Sequence, residues 1–178
     1  MDINILKSHY QSAISLSNSE WVYILSLRNL VRHEFYAHGF LTFSTFDAIL
    51  DWKLRGQRQR TENHRLGNSA ELIKELTGAF WRIEHGDNDK LLDMQLAILL
   101  AIPGVGIGVA SAIIALSHPE DYAIIDFRNW KVLYGEDRRQ FSQADYKKYL
   151  TDMRELAEKV DCDVQELDYL LWKEYEEN

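Results

Sequence analysis

The chain has 178 residues, 46% hydrophobic and 12% aromatic, with a net charge of −8. That is enough apolar material to bury a proper core, and it excludes a disordered chain. The one cysteine, Cys162, excludes an internal disulfide framework and any four-cysteine zinc or iron–sulfur site; the six histidines show no zinc-ligand spacing.

With only two prolines and nine glycines, helix is the expected state nearly throughout. Helices are predicted from about Ile3 to Leu16 and from Glu20 to Ala37. The second has Trp21, Ile24, Leu27, Val31 and Phe35 on one face, Ser19 as cap and Gly39 as stop. Ser44 with Asp47 caps a third that reaches Lys53. The basic segment from Trp52 to Leu66 reads as a loop or frayed helix. Asn68 with Glu71 then opens a helix with Leu72, Leu76, Phe80 and Ile83 on one face, and Gly86-Asp87-Asn88 is a turn. Lys90 to Ala101 and Ile107 to Leu116 are helices around a tight turn. Tyr122 to Ile125 is extended, and Phe127 to Tyr134 is helical. Gln143 to Val160 follows Ser142, and Val164 to Glu176 follows Asp163, which has capping-box spacing to Glu166. The fold class is therefore all-α: a compact, two-lobed, multi-helix bundle forming one domain over 1–178. No apolar run reaches membrane-spanning length, since Leu96 to Ala115 is broken by Pro103-Gly104. The N-terminus shows no basic region followed by an apolar stretch, so a cytoplasmic location is expected.

The chemistry concentrates at Ile102-Pro103-Gly104-Val105-Gly106 and at Asp126, twenty residues further on. Proline fixes φ, and the glycines allow positive φ and close backbone approach. The helix from Ile107 then begins with free N–H groups, a geometry suited to a phosphate. Gly104, Val105, Gly106, Ile107 and Gly108 are the candidate backbone contacts. Acidic residues crowd the C-terminus, whereas Lys53, Arg55, Arg58, Arg60 and Arg65 face only Glu62 in their own segment. They either neutralise phosphates or form a solvated charge run. Arg128 either grips a flanking phosphate, lowers the pKa of Asp126, or makes an ordinary helix ion pair. Trp52 and Trp130 are candidates to stack on a nucleic-acid base, against the commoner fate of tryptophan in a core. Lys53 has a further reading as a desolvated amine nucleophile.

Ile102-Pro103-Gly104-Val105-Gly106 followed by Ile124-Ile125-Asp126 resembles the helix-hairpin-helix (HhH-GPD) DNA glycosylase superfamily, specifically over about Leu96 to Leu133, with the hairpin motif at about 90–117. Gly108 to Ile114, Asp126 to Trp130, Trp52-Lys53 and Leu170-Leu171-Trp172 are similar to one divergent branch of it. The resemblance implies DNA as partner, through backbone phosphates and a flipped base, and base excision with Asp126 as the catalytic carboxylate. It also implies a sodium or potassium ion held by the backbone carbonyls of Leu100, Ile102 and Val105, with no cofactor otherwise required. Where lyase-active members carry a nucleophilic lysine this chain has Gly108, so the implied enzyme is monofunctional. Phe127-Arg128 replaces the family's usual continuation after the aspartate. On the residues alone, Asp126 is either a catalytic carboxylate or the N-cap of the helix at Phe127. The competing functions are a non-catalytic DNA-binding module and a helical interaction protein, the latter favoured by the acidic charge.

Overall fold

The computed structural model describes residues 3–55, 59, 62–83 and 89–177. These form ten helices: α1 (Ile3–Ala13), α2 (Ser19–His38), α3 (Phe43–Leu54), α4 (Glu62–Arg65), α5 (Ala70–Trp81), α6 (Asp89–Leu100), α7 (Ile107–Ser117), α8 (Phe127–Tyr134), α9 (Gln143–Val160) and α10 (Val164–Glu177). Among the described residues there is no strand, and no helix is long and apolar enough to cross a membrane. Arg58, Arg60 and the expected turn at Gly86-Asp87-Asn88 lie outside the described residues.

The molecule is organised around α7, which is buried on every side from Val109 to Ser117. A helix apolar all round belongs in the centre of a bundle. Helices α2, α3, α6 and α9 pack on it, and α10 closes the molecule against α8, α9 and α1. The buried side chains form one cluster from Leu6 to Leu171.

Several caps differ from the sequence reading, each for a local reason. Helix α1 ends at Ala13 rather than Leu16, because Asn18 reaches back to it: its Nδ2 donates to the Ala13 carbonyl at 2.8 Å and to the Tyr169 hydroxyl at 2.9 Å. The Oδ1 of Asn18 meanwhile accepts from the N–H groups of Glu20 and Trp21, so Asn18 and not Ser19 caps α2. Thr42 rather than Ser44 caps α3, held by the buried carboxylate of Glu34, which accepts from the Thr42 N–H and the hydroxyls of Thr42 and Thr45. Ser69 caps α5, and Asn68 instead donates to the Pro103 carbonyl at 3.0 Å, bracing the turn before α7. The buried face of α5 is Ile73, Thr77 and Phe80, offset from the one expected. Gly39, Ser142 with Asp145, and Asp126 cap their helices as the sequence indicates.

Residues 122–125 are buried without a partner strand. Their backbone groups are satisfied by side chains from afar: Ile124 N–H donates to Asp168, Ile125 N–H to Ser111, and the Ala123 carbonyl accepts from the Tyr146 hydroxyl. Buried backbone must be paired, and here distant polar side chains replace a ladder. This fixes the segment that delivers Asp126.

Candidate active site

Asp126 ends the extended segment and opens α8. Its two carboxylate oxygens do different things. Oδ1 accepts from the N–H groups of Arg128 (2.8 Å) and Asn129 (3.1 Å), the geometry of an N-cap. Oδ2 lies 3.8 Å from Lys53 Nζ and 3.6 Å from Arg128 Nη1. Both distances exceed a direct hydrogen bond and are those of ion pairs. The two oxygens of one side chain thus have different partners.

Beside Asp126 is a cavity of about 90 Å³ lined by Trp52 and Lys53 of α3, Asp126, Arg128 and Asn129 at the start of α8, and residues of α2 and α10. Helix α10 contributes Gln165, Asp168, Tyr169 and Trp172, whose spacing puts all four on one helix face. Trp172 stacks on Tyr169 with centroids 5.8 Å apart. The guanidinium of Arg55 lies 5.4 Å from the Trp172 ring centre and that of Arg128 lies 6.0 Å away. Arg55 also pairs with Glu20 at 2.7 Å. A second hollow of about 280 Å³, between α3 and α4, contains Arg65 but neither Asp126 nor a tryptophan. Its size does not make it the site.

Asp168 forms the floor. Its Oδ1 accepts from Tyr149 Oη (2.7 Å), Asn129 Nδ2 (2.8 Å) and Ile124 N–H (3.2 Å). Burial outweighs these donors and pushes its carboxyl up to about 7. Burial and the neighbouring Asp168 likewise raise the Tyr149 hydroxyl well above its ordinary value.

The structure brings Asp126, Lys53, Arg55, Arg128 and Trp52 to one cavity, as a common site requires. The expectation for Trp130 is corrected. It is 3% exposed, its ring lies against Tyr134 and Phe141, and its Nε1 donates to Glu136. It is a core residue with no free face for a base. Trp172 is the second tryptophan at the cavity, and its signal was the stripe Gln165, Asp168, Tyr169, Trp172 within the acidic C-terminal run. Lys53 is a cavity residue, its side chain only 15% exposed, rather than an outlying phosphate contact.

Gly108 lies beside Lys53. A Cβ at position 108 would sit 3.7 Å from Lys53 Cε and 3.6 Å from the Ile125 carbonyl. Both contacts are ordinary van der Waals distances. Gly108→Ala is therefore expected to fold and to gain about 0.5–1 kcal/mol of helix stability in urea unfolding. Gly108→Leu is expected to lose stability and to displace Lys53.

The turn before α7 has Gly104 at φ +82° and Gly106 as an exposed N-cap with no capping side chain. A Cβ on Gly106 would meet nothing within 4 Å, so the N-terminus of α7 opens to solvent. The Ile102 carbonyl accepts from the Val105 N–H and retains a second lone pair. Neutral carbonyl oxygens at Leu100, Ile102 and Val105 are of a chemistry that suits a hard monovalent cation, whose charge would favour an anion at the turn. Among the described residues no group of His, Cys, Asp and Glu could hold a metal ion.

The chain matches no family model, no curated protein and no solved structure.

Proposed function

We propose that this protein binds DNA and hydrolyses the N-glycosidic bond of a damaged or modified base, with Asp126 as the catalytic carboxylate. The observation that carries the reading is the division of labour at Asp126. Oδ1 is spent on the helix cap, while Oδ2 lies between two cations and the residue lines a cavity that Trp52 and Trp172 also line. Cleaving the bond from C1′ of deoxyribose to a base nitrogen builds positive charge on the sugar, and a fixed carboxylate stabilises that charge and orients the attacking water. Trp52 and Trp172 offer faces for a base taken out of the stack, and Arg55 beside Trp172 adds positive charge at the rim. The backbone N–H groups of the turn from Gly104 to Gly108 hold a phosphate without reading sequence. Gly108 carries no amine, so hydrolysis without a lyase step at that position follows.

The test is incubation with duplexes carrying a panel of oxidised, deaminated and alkylated bases, with alkali revealing abasic products. Cleavage at one lesion supports the reading. Binding without cleavage across the panel would favour a non-catalytic DNA-binding protein. Trp172→Ala is expected to weaken binding to a duplex with an extrahelical base by about 1–3 kcal/mol, roughly ten- to hundredfold, in fluorescence anisotropy. Binding to undamaged duplex should change far less.

A further inference from the structure

The floor of the cavity holds a second carboxyl group that the cap-and-carboxylate chemistry of Asp126 does not use. We propose that Asp168 is the proton donor to the departing base and that the substrate is a neutral base, one that must be protonated as it leaves. The proposal rests on the base-excision reading above.

Two features of the wall carry it. First, all three donors to Asp168 converge on Oδ1, from Tyr149, Asn129 and Ile124. An oxygen accepting three hydrogen bonds is a poor place for a proton, so the acidic proton of the neutral form sits on Oδ2. Second, Asp168 lines the same cavity as Asp126 while being only 6% exposed, so its proton is sheltered from bulk water yet next to the ligand space.

The groups that face Asp168 set its charge state. Lys53 of α3 favours the ionised form, whereas Asp126 at the start of α8 and burial disfavour it. Tyr149 and Tyr146 of α9 also lie within its field. The outcome is a carboxyl near 7, suited to giving up a proton at neutral pH. In the step itself the C1′–N bond breaks and its electron pair goes to the base. The Asp168 Oδ2 proton passes to a nitrogen or oxygen of that base. Water adds at C1′ and gives its proton to Asp126, and exchange with solvent then resets both carboxyls.

The test compares wild type with Asp168→Asn, which keeps a carbonyl oxygen for the three donors. The two substrates are a duplex containing deoxyinosine and one containing N7-methyldeoxyguanosine. The methylated base is already cationic and leaves without protonation, whereas the inosine base is neutral. Single-turnover excision of hypoxanthine should fall about a hundredfold in the variant, and excision of 7-methylguanine less than about threefold. The wild-type rate on deoxyinosine should decline as pH rises through about 7, and that limb should vanish in the variant. Equal slowing of both substrates, or slowing of neither, would overturn the proposal. So would a ¹³C carboxyl resonance of Asp168 titrating in the ordinary carboxylate range, a readout independent of any activity. Release of neither base by the wild type, with the panel also negative, would instead sink the excision reading and this proposal with it.

Discussion

Asp126→Asn is expected to lower the single-turnover rate of base release by about 10²- to 10⁴-fold while leaving the fold and DNA affinity close to wild type. The substitution is informative because of how the two oxygens are employed. Asparagine is as good an N-cap as aspartate, and its carbonyl can accept from the N–H groups of Arg128 and Asn129 as Oδ1 does now. What it lacks is the charge on Oδ2 between Lys53 and Arg128. Asp126→Ala removes both functions and should add a loss of about 0.5–2 kcal/mol of stability in urea unfolding. If Asp126 were only a cap, asparagine would be silent in every assay and alanine would cost stability alone. Equal rates for wild type and Asp126→Asn would therefore remove Asp126 from the chemistry.

Asp168→Asn is expected to change the pH dependence of stability. The Asp168 carboxyl stands near 7 in the folded protein against 3.8 as its ordinary value. Below about 4 both states are protonated and the group carries no penalty. As pH rises from 4 to 7 the unfolded chain releases this proton and the folded protein keeps it, so stability falls. Above about 7 both are ionised and the loss is constant, at roughly 4 kcal/mol. The variant lacks this slope. Its urea midpoint relative to wild type should therefore rise from pH 5 to pH 8. Asp163, raised by burial and Glu166, slopes the same way, whereas Asp145, lowered by hydrogen bonds from the Ser142 backbone and side chain, slopes the other way. Both are present in wild type and variant alike, so the difference isolates Asp168. A difference that is flat from pH 5 to pH 8 would mean that Asp168 is ionised throughout.

Much of this arrangement is legible in the chain because it is local. Asp126 follows an apolar run and precedes a helical period, so its capping role is written within four residues. The glycines of the turn announce themselves by type, and Gly104 does adopt positive φ. Long-range partners are what the chain conceals. Asn18 and Ser19 are equally good caps by type, and Asn18 is selected by Ala13 and Tyr169, the latter 151 positions away. Tyr122 to Ile125 reads as extended, but that its hydrogen bonds go to Asp168, Ser111 and Tyr146 is written nowhere near it. Trp52, Trp130 and Trp172 are alike on paper. Only the packing of α8 against α10 and α9 sends Trp130 inward and leaves Trp172 at the cavity. The polar face of α10 was masked by the acidic residues beside it, since a charge run normally marks a solvated surface. Gly108 is read alone as the loss of an amine, whereas in the fold it packs beside Lys53 of α3.

The most direct test of the central claim is release of free base, measured in one turnover on a lesion-bearing duplex, for wild type and Asp126→Asn side by side with anisotropy measured on the same duplex. The expected result is base released by the wild type, release lowered at least about a hundredfold in the variant, and matched DNA affinities. Base released at the same rate by both proteins, or DNA bound by both with no base released from any lesion, would contradict it.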